Sequence, residues 1–329
     1  MIGTAKTAAA ARAAGGIPVP SPANFPTARP AVTTTAVVPA VKPRSGRFGI
    51  NLISNVGQLA LTMVVGAWYV PFLVRKLGPA AYGLIPLAGS ITSYMALITL
   101  GLNSAVGRYL TIALEQGDNR RANMIFNTSL WGSLALTALL LSPAALGMVF
   151  VDRLIRVPPG FEQEARWLFA GTAAAFLLNE IKTPFDVASF CRNRFDLRNL
   201  VAISEVLARV GLAILLFYVL APRVHYVGLA IFSGTVVSAV GAVWLWKVLT
   251  PTLRVDPHYF DWGILRELTT TGGWVVVNQI GAILYLSIEL LVANRLFGAE
   301  LSGKYAAVLQ LPTLVRTLGS TIADRKSVV

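Results

Sequence analysis

From residue 48 onward, apolar residues run in long blocks separated by short polar and basic segments. Eight blocks are read as membrane-spanning helices: Gly49–Leu73, Tyr82–Ala105, Phe126–Val151, Trp167–Phe190, Leu200–Leu220, Val227–Leu249, Gly272–Ala293 and Ser302–Ala323. About 20 apolar residues suffice for a helix to cross a hydrocarbon layer roughly 30 Å thick. The block from Tyr82 to Ala105 holds no charged side chain in 24 residues. Tight polar turns punctuate the blocks, among them Arg75-Lys76-Leu77-Gly78-Pro79 and Gly117-Asp118-Asn119-Arg120-Arg121. The pattern predicts an all-α polytopic membrane protein.

The longest break between spans, Thr250 to Thr271, divides six spans from two. The two sides share features: Asn55-Val56-Gly57-Gln58 matches Asn278-Gln279-Ile280-Gly281, and Gly78 and Gly83 match Gly298 and Gly303. An even number of spans before the repeat makes both halves start on one membrane face, as in parallel-repeat transporters. The expected organisation is a basic disordered tail (1–47), a six-helix transmembrane bundle (48–250), a cytoplasmic linker (251–271) and the first two helices of a second, repeated bundle (272–329). Because that repeat stops after two spans, the chain is expected to be a truncated fragment of a longer product. In the tail, Pro18, Pro20, Pro22, Pro26, Pro30, Pro39 and Pro43 forbid a continuous helix. Its six basic residues and lack of acidic ones suit an anionic inner leaflet.

Composition agrees with the pattern: only 13% of the 329 residues are charged and 55% are hydrophobic, against about a quarter charged in soluble domains. The net charge of +13 lies between apolar blocks rather than on one face, which excludes nucleic acid as a partner and fits orientation signals. With the N-terminus cytoplasmic, the inside segments hold 17 Lys and Arg and the outside ones 8. A multi-pass protein of the inner (plasma) membrane follows. Cys191 is the sole cysteine, and His225 and His258 lack ligand-spaced neighbours, so neither metal nor cofactor is expected.

An ionisable group at mid-bilayer costs roughly 2.5–3.5 kcal/mol on insertion scales, so each one within a span needs a partner, a cavity or a role. Asn51, Ser54, Asn55, Gln58 and Thr62 share one stripe of the first span. Such a stripe either glues helices or lines a wet cavity. The fourth span carries Asn179, Glu180, Lys182, Thr183 and Asp186 around Pro184, and the fifth carries Glu205 and Arg209. Lys182 with Asp186, and Glu205 with Arg209, are i,i+4 pairs. Either these pairs neutralise one another within the packing, or Lys182, Arg209 and Arg316 present cationic donors to an anionic group in a cavity, or the charges snorkel towards an interface, as Lys182 and Asp186 are best placed to do. Asn55 and Gln58 are further cavity candidates. Glu289 is the most isolated charge and the first candidate for proton or sodium coupling, followed by Glu180, Asp186 and Glu205.

The run Leu77-Gly78…Tyr82-Gly83, with Gly101-Leu102-Asn103…Arg108-Tyr109 and Gly117-Asp118…Asn123…Phe126-Asn127, resembles the N-terminal signature of Wzx-type oligosaccharide flippases. These belong to the multidrug/oligosaccharidyl-lipid/polysaccharide exporter superfamily. Glu289…Leu296-Phe297-Gly298…Gly303-Lys304-Tyr305 is similar to the start of that family's second bundle. The resemblance implies two six-helix bundles around a cavity, monomeric at full length. It also implies outward movement of a polyprenyl-diphosphate-linked oligosaccharide among membrane lipids, by alternating access. A cation-coupled drug antiporter of the same superfamily is the nearest alternative. A membrane-embedded glycosyltransferase or glycan ligase, with Glu162 and Glu164 as acids, is the second. No HExxH, GxSxG, P-loop or DxD pattern supports an enzyme.

Overall fold

The computed structural model describes residues 48–309 and 312, with side chains at 48, 97–98, 100–104, 152, 274, 278 and 282–287 left aside. The basic tail, Arg316 and the end of the last span lie outside the described residues. Within them the regular elements are all helical. They are α1 (Phe48–Leu77), α2 (Pro79–Tyr82), α3 (Leu84–Glu115), α4 (Asn119–Val149), α5 (Val151–Leu154), α6 (Glu162–Cys191), α7 (Phe195–Val219), α8 (His225–Leu249), a 3-10 turn (Pro257–Tyr259), α9 (Trp262–Phe297) and α10 (299–309). Four helices among the described residues, α1, α4, α7 and α8, are long and apolar enough to cross a membrane.

Two helices extend well past their expected spans, for local reasons. Nothing between Ala105 and Glu115 breaks a helix, so α3 continues through the amphipathic Tyr109–Glu115 piece until Gly117 turns the chain at φ +73°. Asp118 then caps α4, accepting the Arg121 amide at 2.9 Å. The segment expected as a linker over 251–271 is already helical from Trp262. There Asp261 accepts the Ile264 amide at 2.8 Å and starts α9 ten residues before Gly272. Leu268 is buried, and Ile264 and Leu265 pack into a cluster around Val106, Leu110, Ile125 and Phe126. The linker proper is therefore short, and it is bound. Asn123 donates to the Thr252 carbonyl (3.0 Å) and accepts from the Arg254 amide (2.7 Å). Asn127, one turn on, donates to the Arg254 carbonyl (2.7 Å) and accepts from the Asp256 amide (2.8 Å). Thr128 accepts the Asp261 amide at 3.0 Å. Carboxamides supply a donor and an acceptor side by side, so α4 satisfies an extended backbone as a neighbouring strand does. Beyond it, Asp256 accepts from the His258 amide and ring, which hold its carboxyl below the usual carboxylate range.

α8 lies between α6 and α7, α1 packs on α7, and α3 runs against α4, α6 and α9. The end where α1 begins and α3, α6 and α8 finish is here termed proximal, and the opposite end distal. In lipid, helix association rests on close packing rather than on apolar transfer. Gly171 and Gly228 meet at such a distance that a Cβ on the former would sit 2.6 Å from the backbone of the latter.

At the distal end the matched glycines of the two halves meet each other. Gly78 and Gly298, 220 positions apart, cap successive helices with φ of +79° and +85°. Five residues on from each, Gly83 and Gly303 touch backbone to backbone. A Cβ on Gly83 would lie 2.7 Å from the Gly303 Cα and 3.1 Å from the Ala299 carbonyl. A Cβ on Gly303 would run into the Pro79 carbonyl. Since Pro79 and Ala299 share the same offset, the contact is reciprocal, as at a local two-fold axis. Asn294, 1% exposed, fixes the neighbouring loop. It accepts from the Arg156 amide (2.9 Å) and donates to the Arg156 carbonyl and the Ser302 hydroxyl (3.3 Å each).

Candidate functional site

The polar residues of the spans gather at the proximal end, around two adjoining cavities. A cavity of about 380 Å³ is enclosed by α1, α6, α7 and α8, with Asn55, Gln58, Lys182, Asp186, Arg198, Asn199 and Ser238 among its walls. A broader groove of about 800 Å³ lies against α3, α6 and α7, walled by Arg108, Thr111, Asn179, Lys182, Thr183, Asp186 and Arg198. Lys182, Asp186 and Arg198 belong to both linings and form the sill between them.

On α6, residues 179, 182, 183 and 186 recur at helical spacing and so share the face that meets this space. One turn separates Lys182 from Asp186, and their charged atoms close to 2.9 Å. Ser238 on α8 accepts a further hydrogen bond from the Lys182 ammonium at 3.0 Å. The Lys182 side chain is only 10% exposed, so pairing offsets a desolvation cost that an unpaired ammonium would carry in full. Arg108 and Arg198 are exposed to the groove and form no ion pair among the described residues. Its walls therefore set three cations against the single carboxylate of Asp186.

The polar stripe of α1 both glues and lines. Asn51 donates to the Asn193 carbonyl and side-chain oxygen, each at 3.2 Å. Asn193 makes the tight α6–α7 turn with φ 52°, a left-handed conformation that asparagine tolerates. Buried Asn199 on α7 donates to Ser54 (3.0 Å) and Asn55 (2.5 Å). Asn55 and Gln58 also face the smaller cavity, whereas Thr62 is exposed and bonds the Gln58 carbonyl.

Other sequence candidates stand apart from this site. Arg209 lines neither cavity; its Nε is buried without a hydrogen-bond partner among the described residues. Arg209 and Glu205 instead flank Gly234, where a Cβ would lie 3.0 Å from the Arg209 Cβ and 2.9 Å from the Glu205 carbonyl. Glu180 is 6% exposed, turned from the cavities, and has interactions of its own. Glu289, expected as an isolated charge, accepts a hydrogen bond from Tyr305 of α10 at 3.1 Å. Glu164, a candidate acid of the enzyme alternative, receives the Val224 amide at 3.0 Å beside the start of α8. No cluster of three metal-ligating side chains occurs among the described residues. Sequence reasoning missed Arg108 and Arg198, which count equally well as orientation charges at span ends. The signal for Arg198 is its place one turn inside α7, next to Asn199.

The model of one family, described as "Polysaccharide biosynthesis protein", matches residues 49–325. The chain belongs to that family. Among curated proteins it is 33% identical over 278 residues to the "Uncharacterized membrane protein EpsK" of Bacillus subtilis (strain 168), covering 84% of this chain and 55% of that one. It is also 22% identical over 288 residues to the "Putative O-antigen transporter" of Shigella flexneri, covering 84% and 66% respectively. The chain thus spans 55% and 66% of the length of these relatives. Among solved structures it resembles one described as the inward-facing conformation of a multidrug resistance MATE family transporter of the MOP superfamily. That match has a TM-score of 0.62 and 16% identity, over 76% of this chain and 57% of the other. At such identity the likeness carries the fold. This family member is a multi-pass membrane protein with a MATE-like helical arrangement.

Proposed function

We propose that the protein is part of a two-bundle carrier that moves a polyprenyl-diphosphate-linked oligosaccharide outward across the inner membrane by alternating access. In this reading residues 48–250 form the first six-helix bundle, and α9 with α10 begins the second. The tail lies in the cytoplasm, and so does the proximal end. The observation that carries the reading is the groove at that end, where Arg108, Lys182 and Arg198 outnumber Asp186 beside long apolar helices. Charge-assisted hydrogen bonds from guanidinium groups suit phosphate oxygens. A lipid diphosphate held there keeps its tail in the bilayer. An inside-negative potential favours outward passage of an anion by roughly 2.3 kcal/mol per charge per 100 mV, so no bound nucleotide is required. The reciprocal Gly83–Gly303 contact supports the two-half organisation, since matched elements meeting across a local two-fold are how duplicated carriers pair.

The antiporter alternative calls for a cavity rich in acids and aromatics, and the groove has a surplus of cations. Glu289, the first candidate for cation coupling, has Tyr305 as its hydrogen-bond donor. The test replaces Arg108 and Arg198 together with glutamine in the full-length protein. Glycan export is expected to fall at least tenfold while the amount of protein in the membrane is unchanged. Undiminished export removes the diphosphate reading.

A further inference from the structure

The smaller cavity differs in chemistry from the groove beside it. Its charged groups are confined to the sill, where the Lys182 ammonium is already engaged by Asp186 at 2.9 Å and Ser238 at 3.0 Å. Behind the sill the walls carry the carboxamides of Asn55, Gln58 and Asn199, the Ser238 hydroxyl and the ring of Phe195. Each carboxamide sets two N–H donors beside a carbonyl acceptor, and a hydroxyl both gives and accepts. Both N–H donors of Asn199 are taken up, by the Ser54 hydroxyl and the Asn55 carbonyl, while the Gln58 amide makes no side-chain hydrogen bond among the described residues. A ligand that fills this space has to offer donors and acceptors on adjacent atoms, with an apolar face for Phe195.

That description excludes two ligand classes. Drug-sized apolar molecules favour pockets walled mainly by hydrophobic and aromatic side chains, and here they would strand the amides. A second anion would have to compete with the groove for Arg198, because the other cation of the lining, Lys182, is already neutralised by Asp186. A pyranose has the required character: vicinal hydroxyls that both donate and accept, and a C–H face that stacks on an aromatic ring. Size agrees, because about 380 Å³ corresponds to roughly a dozen waters at ~30 Å³ each, and a hexose has about as many non-hydrogen atoms.

We propose that the cavity walled by Asn55, Gln58, Asn199, Ser238 and Phe195 is a sugar subsite, which takes the pyranose nearest the diphosphate. The proposal rests on reading the groove as the diphosphate site. Lys182, Asp186 and Arg198 belong to both spaces, so a sugar joined directly to a phosphate in the groove reaches the amides by crossing the sill.

The test measures binding to the full-length protein in nanodiscs with two probes: farnesyl diphosphate, and farnesyl diphosphate bearing one N-acetylhexosamine. The wild type is expected to bind the sugar-bearing probe at least tenfold more tightly. Gln58→Leu should erase most of that preference and leave affinity for the sugar-free probe within twofold. Ala202→Phe fills the same cavity from α7 without removing a polar group and should give the same result, which guards against a folding defect in the first variant. Equal affinities of the wild type for the two probes overturn the subsite, and so do variants that weaken both probes alike. If neither probe binds, or if Arg108→Gln with Arg198→Gln leaves both affinities unchanged, the diphosphate reading has failed and the subsite goes with it.

Discussion

At the distal end, two backbones touch through Gly83 and Gly303, and a fully buried Asn294 satisfies both polar groups of Arg156. At the proximal end, charged and amide side chains face two cavities, and two arginines find no ion-pair partner among the described residues. One end is closed by shape, with no room for even a methyl group; the other is held open by polar groups and the space around them. In the proposed carrier the two ends would exchange which one is closed. A glycine contact suits the closed end, because it involves no side chains that would have to be desolvated again at each closure.

The comparison can be broken most directly at its tight side. Gly303→Leu forces a side chain into the Pro79 carbonyl, which belongs to backbone and cannot swing away. A loss of about 3 kcal/mol is expected, read as a lower thermal unfolding temperature in detergent. A variant as stable as the wild type would mean that the distal end is not closed by this contact. Next in size, Asn127→Ala removes a side chain with no solvent exposure and leaves the Arg254 carbonyl and Asp256 amide without their partner. The expected cost is about 2 kcal/mol, with faster hydrogen exchange confined to residues 252–261.

At the open side the expected effects on stability shrink. Lys182→Met leaves Asp186 without its counter-ion, but that carboxylate is 30% exposed. After allowance for screening the cost is about 1 kcal/mol, and adding Asp186→Leu should recover most of it in a double-mutant cycle. Failure to recover would show that the two residues do not act as a pair. The smallest effect is one of pH. Since His258 holds the Asp256 carboxyl below its ordinary value, this contribution is complete above about pH 4 and fades as the pH falls further. Amide exchange at residues 256–259 should accelerate over that acid range, and exchange around Asn294 should not.

Much of this was legible in the chain itself. Helix positions follow from the apolar blocks, and the candidate site from polar residues recurring at one-turn intervals in α1 and α6, because both signals are local. Features that depend on distant partners were not legible. Arg108 and Arg198 sit at helix ends, where a basic residue also serves orientation, and only the packing of α3 and α7 about α6 aims them at one groove. The sequence repeat pairs Gly83 with Gly303 as equivalents, but an alignment does not say that equivalents touch. Asn123 and Asn127 stood out as part of a family signature, and their work on the segment 252–256 needed the path of that segment. Glu289 looked solitary because its donor, Tyr305, belongs to the next helix.

The stitching of residues 252–261 to α4 also says where an elbow can lie. That segment is bound through its own peptide groups, and Leu268 is buried against α3 and α4. Thr271 is also held to α3, its hydroxyl 3.1 Å from that of Tyr109, so any swing of α9 relative to the first bundle would begin at the end of the run Thr269-Thr270-Thr271-Gly272-Gly273. This run combines β-branched residues with two adjacent glycines, each of which weakens a helix by up to about 1 kcal/mol. In the proposed carrier the long α9 would act as a lever with a soft fulcrum near one tip, and exchanging both glycines for alanine should stiffen it, raising thermal stability while slowing glycan export.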